Sequence, residues 1–83
     1  LFVQLRNLRI YATPDGREYI ADVLYRDGIN LYPVKTWGNY AFAEYTVGRD
    51  GRIVRGSKPT QWSIEQLKDT GREAQYPPAR RIL

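Results

Sequence analysis

The chemistry open to this chain is bounded first by what it lacks. It contains neither histidine nor cysteine, which removes the usual neutral-pH base, the thiol nucleophile and the imidazole and thiolate metal ligands. Carboxylates, lysine, tyrosine, serine and threonine remain. Asp22 and Glu44 each fall in an extended run and could face one another across a sheet as an acid/base pair. The simpler expectation is two solvent-side carboxylates paired with neighbouring arginines. The Asp residues have no EF-hand spacing. Gly48-Arg49-Asp50-Gly51 has neither the lysine nor the spacing of a phosphate-binding loop, and no dinucleotide-type glycine pattern occurs. The expectation is therefore a non-enzymatic chain with no catalytic residue, no metal and no cofactor.

Binding chemistry is better represented. Arg49, Arg52, Arg55 and Lys58 fall within ten residues that hold a single acid, Asp50. With Tyr40 and Tyr45 just upstream they form the candidate binding set. In a tight hairpin Arg49 and Arg52 would stand side by side at the tip, where they could follow a phosphate backbone while the tyrosines stack on bases. No RNP, GXXG or zinc-finger spacing accompanies them. Arginine and tyrosine are also ordinary occupants of strand surfaces, and with tryptophan they are the types most enriched at protein-binding hot spots. The expected function is protein–protein interaction or assembly, with another protein or a second copy as partner. Binding of DNA or RNA through the basic hairpin 49–58 is the alternative. Ten arginines against three lysines favour planar, bidentate contacts, while a net charge of +4 is ordinary for a small domain.

The elements that must hold these residues read as strands. Asp50-Gly51 between β-prone runs is the strongest hairpin signal. A two-residue turn would pair Val47 with Val54, and a three-residue loop with Gly51 at the bulge would pair Val47 with Ile53, exchanging the faces of Ile53 and Val54. Upstream, Leu1–Ala12 alternates with a phase change near Arg6–Asn7, which implies a bulge, a bend or two short strands. Thr13-Pro14-Asp15-Gly16 is a turn leading into Glu18–Arg26, a run with large apolar groups on both faces. Ile29–Lys35 is a short run in which Pro33 argues for an edge or a bulge rather than a central strand, and an exposed edge there would invite a second copy of the chain. Trp37-Gly38-Asn39 reads as a kink, with Trp37 as core packing. Downstream, Ser63 with Gln66 forms a capping box, Trp62 could staple onto Leu67, and Gly71 could end a short helix over residues 63–70. There is no internal repeat of solenoid type; the three Asp-Gly pairs are turn punctuation.

Eighty-three residues make one domain, and a chain this small buries only about 60–65% of the surface of its extended form. The expected fold is mainly β, a small SH3-like barrel or rolled antiparallel meander of about five strands with that one short helix. An open sheet with the helix on one face is the other architecture compatible with the order. Residues 1–76 form the expected β-rich domain and 77–83 a proline-containing basic tail or linker, in which Tyr76-Pro77-Pro78-Ala79-Arg80 could itself serve as a ligand for a groove. The chain opens on Leu1 rather than methionine, which suggests a longer or processed protein. No run is long and apolar enough to span a bilayer, so no membrane partner is expected. The absence of cysteine removes the usual mark of an oxidising compartment and leaves the cytoplasm as the favoured location.

Overall fold

The structure is a computed structural model that describes residues 5–23, 28–39 and 43–76. Its strands are β1 (Arg9–Ala12), β2 (Glu18–Asp22), β3 (Ile29–Pro33), β4 (Tyr45–Val47), β5 (Arg52–Arg55), β6 (Lys58–Ser63) and β7 (Lys68–Glu73). A 3₁₀ helix spans Val34–Asn39 and a single 3₁₀ turn spans Ile64–Gln66. The strands form one sheet in the order β6-β5-β4-β3-β2-β1-β7, with every pairing antiparallel. The chain is thus a mainly β meander of seven strands with minor helical content.

Connectivity bends the sheet. The two edge strands are consecutive in sequence, and only residues 64–67 join them. Seven flat strands would put the edges about 29 Å apart at a spacing of roughly 4.8 Å. Five peptide steps reach at most about 18 Å. The sheet must therefore roll. No ladder joins β6 to β7, so the roll stays open, and of the expected architectures the rolled meander is the one adopted rather than the closed barrel.

The turns follow their residues. Thr13 N–H donates to the Arg17 carbonyl at 2.9 Å and Gly16 N–H to the Thr13 carbonyl at 2.8 Å, closing the first hairpin. The central hairpin repeats this, with Gly48 N–H on the Arg52 carbonyl at 3.0 Å and Gly51 N–H on the Gly48 carbonyl at 3.0 Å. Gly51 takes a φ of 83°, and Val47 pairs with Ile53. The three-residue loop is the register chosen, and it turns Ile53 into the core.

One face of the sheet holds the main core, in which Tyr11, Tyr19, Leu31, Val47, Ile53 and Ile64 are buried with Leu5 and Tyr45. β2 is packed on both sides, as its apolar pattern implied. Tyr19 and Ala21 face this core, while Ile20, only 1% exposed, lies opposite Ile10 and Tyr32 on the other face. The expected bend in the first segment falls at Leu8, whose φ is 64°.

Two expectations are corrected. Ile29–Pro33 is a central strand between β2 and β4, not an edge, so it offers no open side to a second copy. Pro33 is tolerated because it points, like Leu31, toward β4. The Leu31 carbonyl there accepts Glu44 N–H at 2.9 Å, and β4 begins at Tyr45, so the proline's missing N–H has no partner to disappoint. The helix over 63–70 is also not formed. Only Ile64–Gln66 turns, with Gln66 Oε1 accepting Ser63 N–H at 2.9 Å as the capping pattern implied. Residues 68–73 instead pair with the open side of β1. A seven-residue helix with a shallow apolar stripe is marginal alone, and β1 provides a ladder in its place.

The two edge strands share a device invisible to a search for long repeats. In β6, Arg52 pairs with Ser63 and Val54 with Pro59, so three residues stand opposite Ile53. In β7, Arg9 pairs with Glu73 and Tyr11 with Asp69, so three residues stand opposite Ile10. Each bulge is pinned by a threonine. The Thr60 hydroxyl donates to the Ile53 carbonyl at 2.6 Å and accepts Trp62 N–H at 3.1 Å. The Thr70 hydroxyl donates to the Ile10 carbonyl at 2.7 Å and accepts Arg72 N–H at 3.2 Å. The sequence trace is Lys58-Pro59-Thr60 recurring as Lys68-Asp69-Thr70.

Candidate interaction surface

The β5 strand separates the four basic candidates. Arg49 lies in the loop at one end, next to exposed Arg52, whereas Arg55 and Lys58 pair with each other across the opposite end. Three residues of strand set Arg52 and Arg55 about 10 Å apart along the chain, and they project from opposite faces because their spacing is odd. The hairpin 49–58 is consequently two turns at two ends of the sheet, and no single tip collects all four. Nor are Arg49 and Arg52 cross-strand neighbours, since Arg52 is bonded to Gly48. The loop backbone is not free either. The Gly51 carbonyl accepts Ile64 N–H at 2.7 Å, and the Asp50 carboxylate accepts Arg52 N–H at 3.0 Å. Tyr40 lies outside the described residues.

Around Arg55 the structure assembles a larger group. Its guanidinium sits 6.0 Å from the Tyr45 ring centre and 3.8 Å from the Glu44 carboxylate. Tyr45 meets Tyr19 edge-on at 5.2 Å and Trp62 at 5.8 Å. The aromatic contacts are worth about 0.5–1.5 kcal/mol each beyond area burial. Tyr19 and Tyr45 are buried, and the half-buried Trp62 belongs to the sheet's edge. Burial pushes the Tyr19 phenol well above its ordinary value, with the Glu44 charge acting in the same direction.

Beside this group an open groove of about 620 Å³ runs between the first hairpin turn and the 3₁₀ helix, lined by Arg17, Tyr19, Val34, Lys35 and Glu44 among others. Arg17 and Lys35 were not among the sequence candidates. The meander places their turns at the same end of the sheet as Arg55 and Lys58, a relation of alternating hairpins that no local spacing records. The hydroxyl of Tyr19 and the charge of Asp15 both hold the Arg17 guanidinium above its ordinary pKa.

Asp22 and Glu44 do not meet as an acid/base pair. Asp22 pairs with Asn30, which pairs with Thr46, so Glu44 is offset along the sheet, and its carboxylate faces Arg55. Among the described residues there is no group of three acidic side chains able to hold a metal ion, and no helix there is long and apolar enough to cross a membrane.

The surface is not uniformly open. On the β1–β7 side Arg9 is held by Asp69 at 2.7 Å and Glu73 at 3.1 Å, and Arg72 by Glu18. Arg49, Arg52 and Lys58 have no ion pair with any described residue. The chain is a small compact β domain with surface charge and clustered aromatic rings. Neither family models, curated proteins nor solved structures match it.

Proposed function

We infer that this domain is a non-enzymatic interaction module that binds a protein partner at the surface formed around Arg55, Lys58, Tyr45 and Trp62. The observation that carries this reading is the cluster of Arg55 and Trp62 around the Tyr45 ring, beside Glu44. It combines the three residue types that dominate hot spots, on a rigid sheet, with a partly exposed indole at the rim. Both edges are bulged, and β6 also carries Pro59 and Lys58; these devices discourage strand addition. Recognition therefore works through side chains. A photo-crosslinking residue at exposed Gln61 should capture a discrete protein from source extract, and Arg55→Ala should remove that species. A probe at Arg72 should not capture it. Capture that ignores Arg55→Ala, or that is equal from both edges, defeats the reading.

A second reading rests on Arg49, Arg52 and Lys58, exposed and without ion pairs among the described residues. It makes the domain a ligand for DNA or RNA backbone. Mixed oligonucleotides titrated at about 50 and 200 mM salt separate the two, because phosphate contacts lose affinity steeply over that range. The protein-binding reading expects no oligonucleotide affinity at either concentration.

A further inference from the structure

The outer face of β2 and β3, away from the Tyr45–Trp62 group, carries a second aromatic assembly that takes up part of the chain itself. Trp37 meets Tyr32 edge-on at 5.2 Å and Tyr76 at 6.3 Å. Its indole N–H donates to the Gln75 carbonyl at 2.6 Å. One residue earlier, Ala74 N–H donates to the Leu8 carbonyl at 2.7 Å, and one residue later the Tyr76 hydroxyl accepts from Asn7 Nδ2 at 3.2 Å. Asn7 is oriented for this because its Oδ1 accepts Val23 N–H at 3.0 Å, which leaves the amide nitrogen to face Tyr76.

These contacts read a pattern and not a particular segment. They take a backbone N–H, the next carbonyl, and the ring and hydroxyl of the tyrosine that follows. Gln75 itself is exposed, so the position before the tyrosine is free to vary. The indole is a donor only, and inside a contact it requires an acceptor such as the carbonyl it finds here. Tyr76 stays 49% exposed, so the occupant lies against the site without being enclosed by it.

We propose that Asn7, Tyr32 and Trp37 form a recognition site for an extended tyrosine-bearing peptide segment, masked in this chain by its own Ala74–Tyr76. A partner segment of the same chemistry enters by displacing the chain's own. A short tether gives the resident segment an effective concentration on the order of millimolar, and a competitor's apparent affinity falls by the fraction of sites left open. The site is separate from the Arg55 surface, and either could fail without the other.

The test uses the full chain and a synthetic heptapeptide, Arg-Glu-Ala-Gln-Tyr-Pro-Pro, with the Trp37 indole N–H followed by NMR and the Trp62 indole as internal reference. The wild-type chain should bind the peptide weakly. Tyr76→Ala should bind it at least about ten-fold more tightly, as expected from unmasking. A peptide with alanine for its tyrosine should not bind, and Trp37→Phe in the Tyr76→Ala background should abolish saturable binding. An unmoved Trp37 resonance, or equal affinity for wild type and Tyr76→Ala, overturns the proposal. Should Tyr76→Ala lose the dispersed spectrum of a folded chain, wild type decides. Excess peptide must then shift the Tyr76 ring resonances as the resident segment leaves, and unshifted resonances overturn the proposal.

Discussion

The two edges of the sheet are built on one backbone plan and finished with opposite chemistry. In ladder position Arg52 corresponds to Arg9, Pro59 to Asp69, Trp62 to Arg72 and Ser63 to Glu73. Each bulge reaches across one strand to the next. Trp62 passes β5 to meet Tyr45 on β4, and Arg72 passes β1 to meet Glu18 on β2. The faces explain the difference. Ile53 points into the main core, so the bulge opposite it aims a side chain inward, and tryptophan suits that aim. Ile10 lies on the outer face, so the corresponding bulge aims outward, and arginine suits it.

Arg9, with only 16% of its side chain exposed, is drawn partly out of water and is held by two carboxylates. A partly buried charge needs partners. Arg52 is exposed and has no such need. β6 carries no acid, and Arg52 and Lys58 have no ion pair among the described residues.

The largest expected break in the comparison comes from its glycines. Gly51 and Gly71 have similar φ values, 83° and 80°, but a Cβ on Gly51 would sit 3.2 Å from Ile64 Cγ2, whereas one on Gly71 meets nothing within 4 Å. Gly71→Ala should cost only the left-handed strain of about 1–2 kcal/mol. Gly51→Ala adds crowding against the turn that joins the edges and should cost about 2–4 kcal/mol in total. Urea midpoints of the two variants measure the gap, and equal losses would mean that Ile64 yields freely.

Next come the threonines. Thr60→Val and Thr70→Val each remove a hydroxyl that serves a carbonyl and an amide at once, and each should lower stability by about 1–2 kcal/mol. If the two bulges are equivalent, the losses match and serine restores most of each. A loss confined to one edge would show that the shared geometry is not shared energetically.

Acid should then distinguish the edges. The hydrogen bond from Arg9, followed by Gly71 N–H, holds the Asp69 carboxyl below its ordinary pKa. A depressed folded-state value contributes stability above the ordinary Asp value of about 3.9, and that contribution is lost as pH falls through the folded value. Asp69→Asn should therefore flatten the acid limb of the stability profile below about pH 4. Pro59 occupies the corresponding site and does not titrate.

The smallest effect is expected from moving the acids across. Pro59→Asp with Ser63→Glu places one carboxylate opposite Arg52 and a second opposite Val54, but should change stability by no more than about 1 kcal/mol, because an exposed pair gains little. A larger gain, seen as a raised melting midpoint, would mean that Arg52 is strained in the wild-type chain.

Much of the local structure was legible beforehand. Thr13-Pro14-Asp15-Gly16 and Arg49-Asp50-Gly51 carry their turn geometry in their residue types, and the both-sided apolar pattern of β2 foretold packing on two faces. The Ser63–Gln66 signal was also real, but it describes only one turn. Whether that turn continued as helix depended on an open strand edge sixty residues away, which local propensity does not encode. Tyr45 could be singled out from sequence; its meeting with Arg55, Trp62 and Glu44 could not.

What the residues alone determined is the set of reversals, the alternation of faces and the absence of histidine and cysteine chemistry, since each depends on neighbours along the chain. Tertiary structure decided which turns share an end of the sheet, which arginines are neutralised, and that Gln75 and Tyr76 lie against Trp37. Those outcomes depend on strand order and on the roll imposed by the four-residue link between the edges. Contacts of that kind are set by the closure of long loops, and no window of sequence contains them.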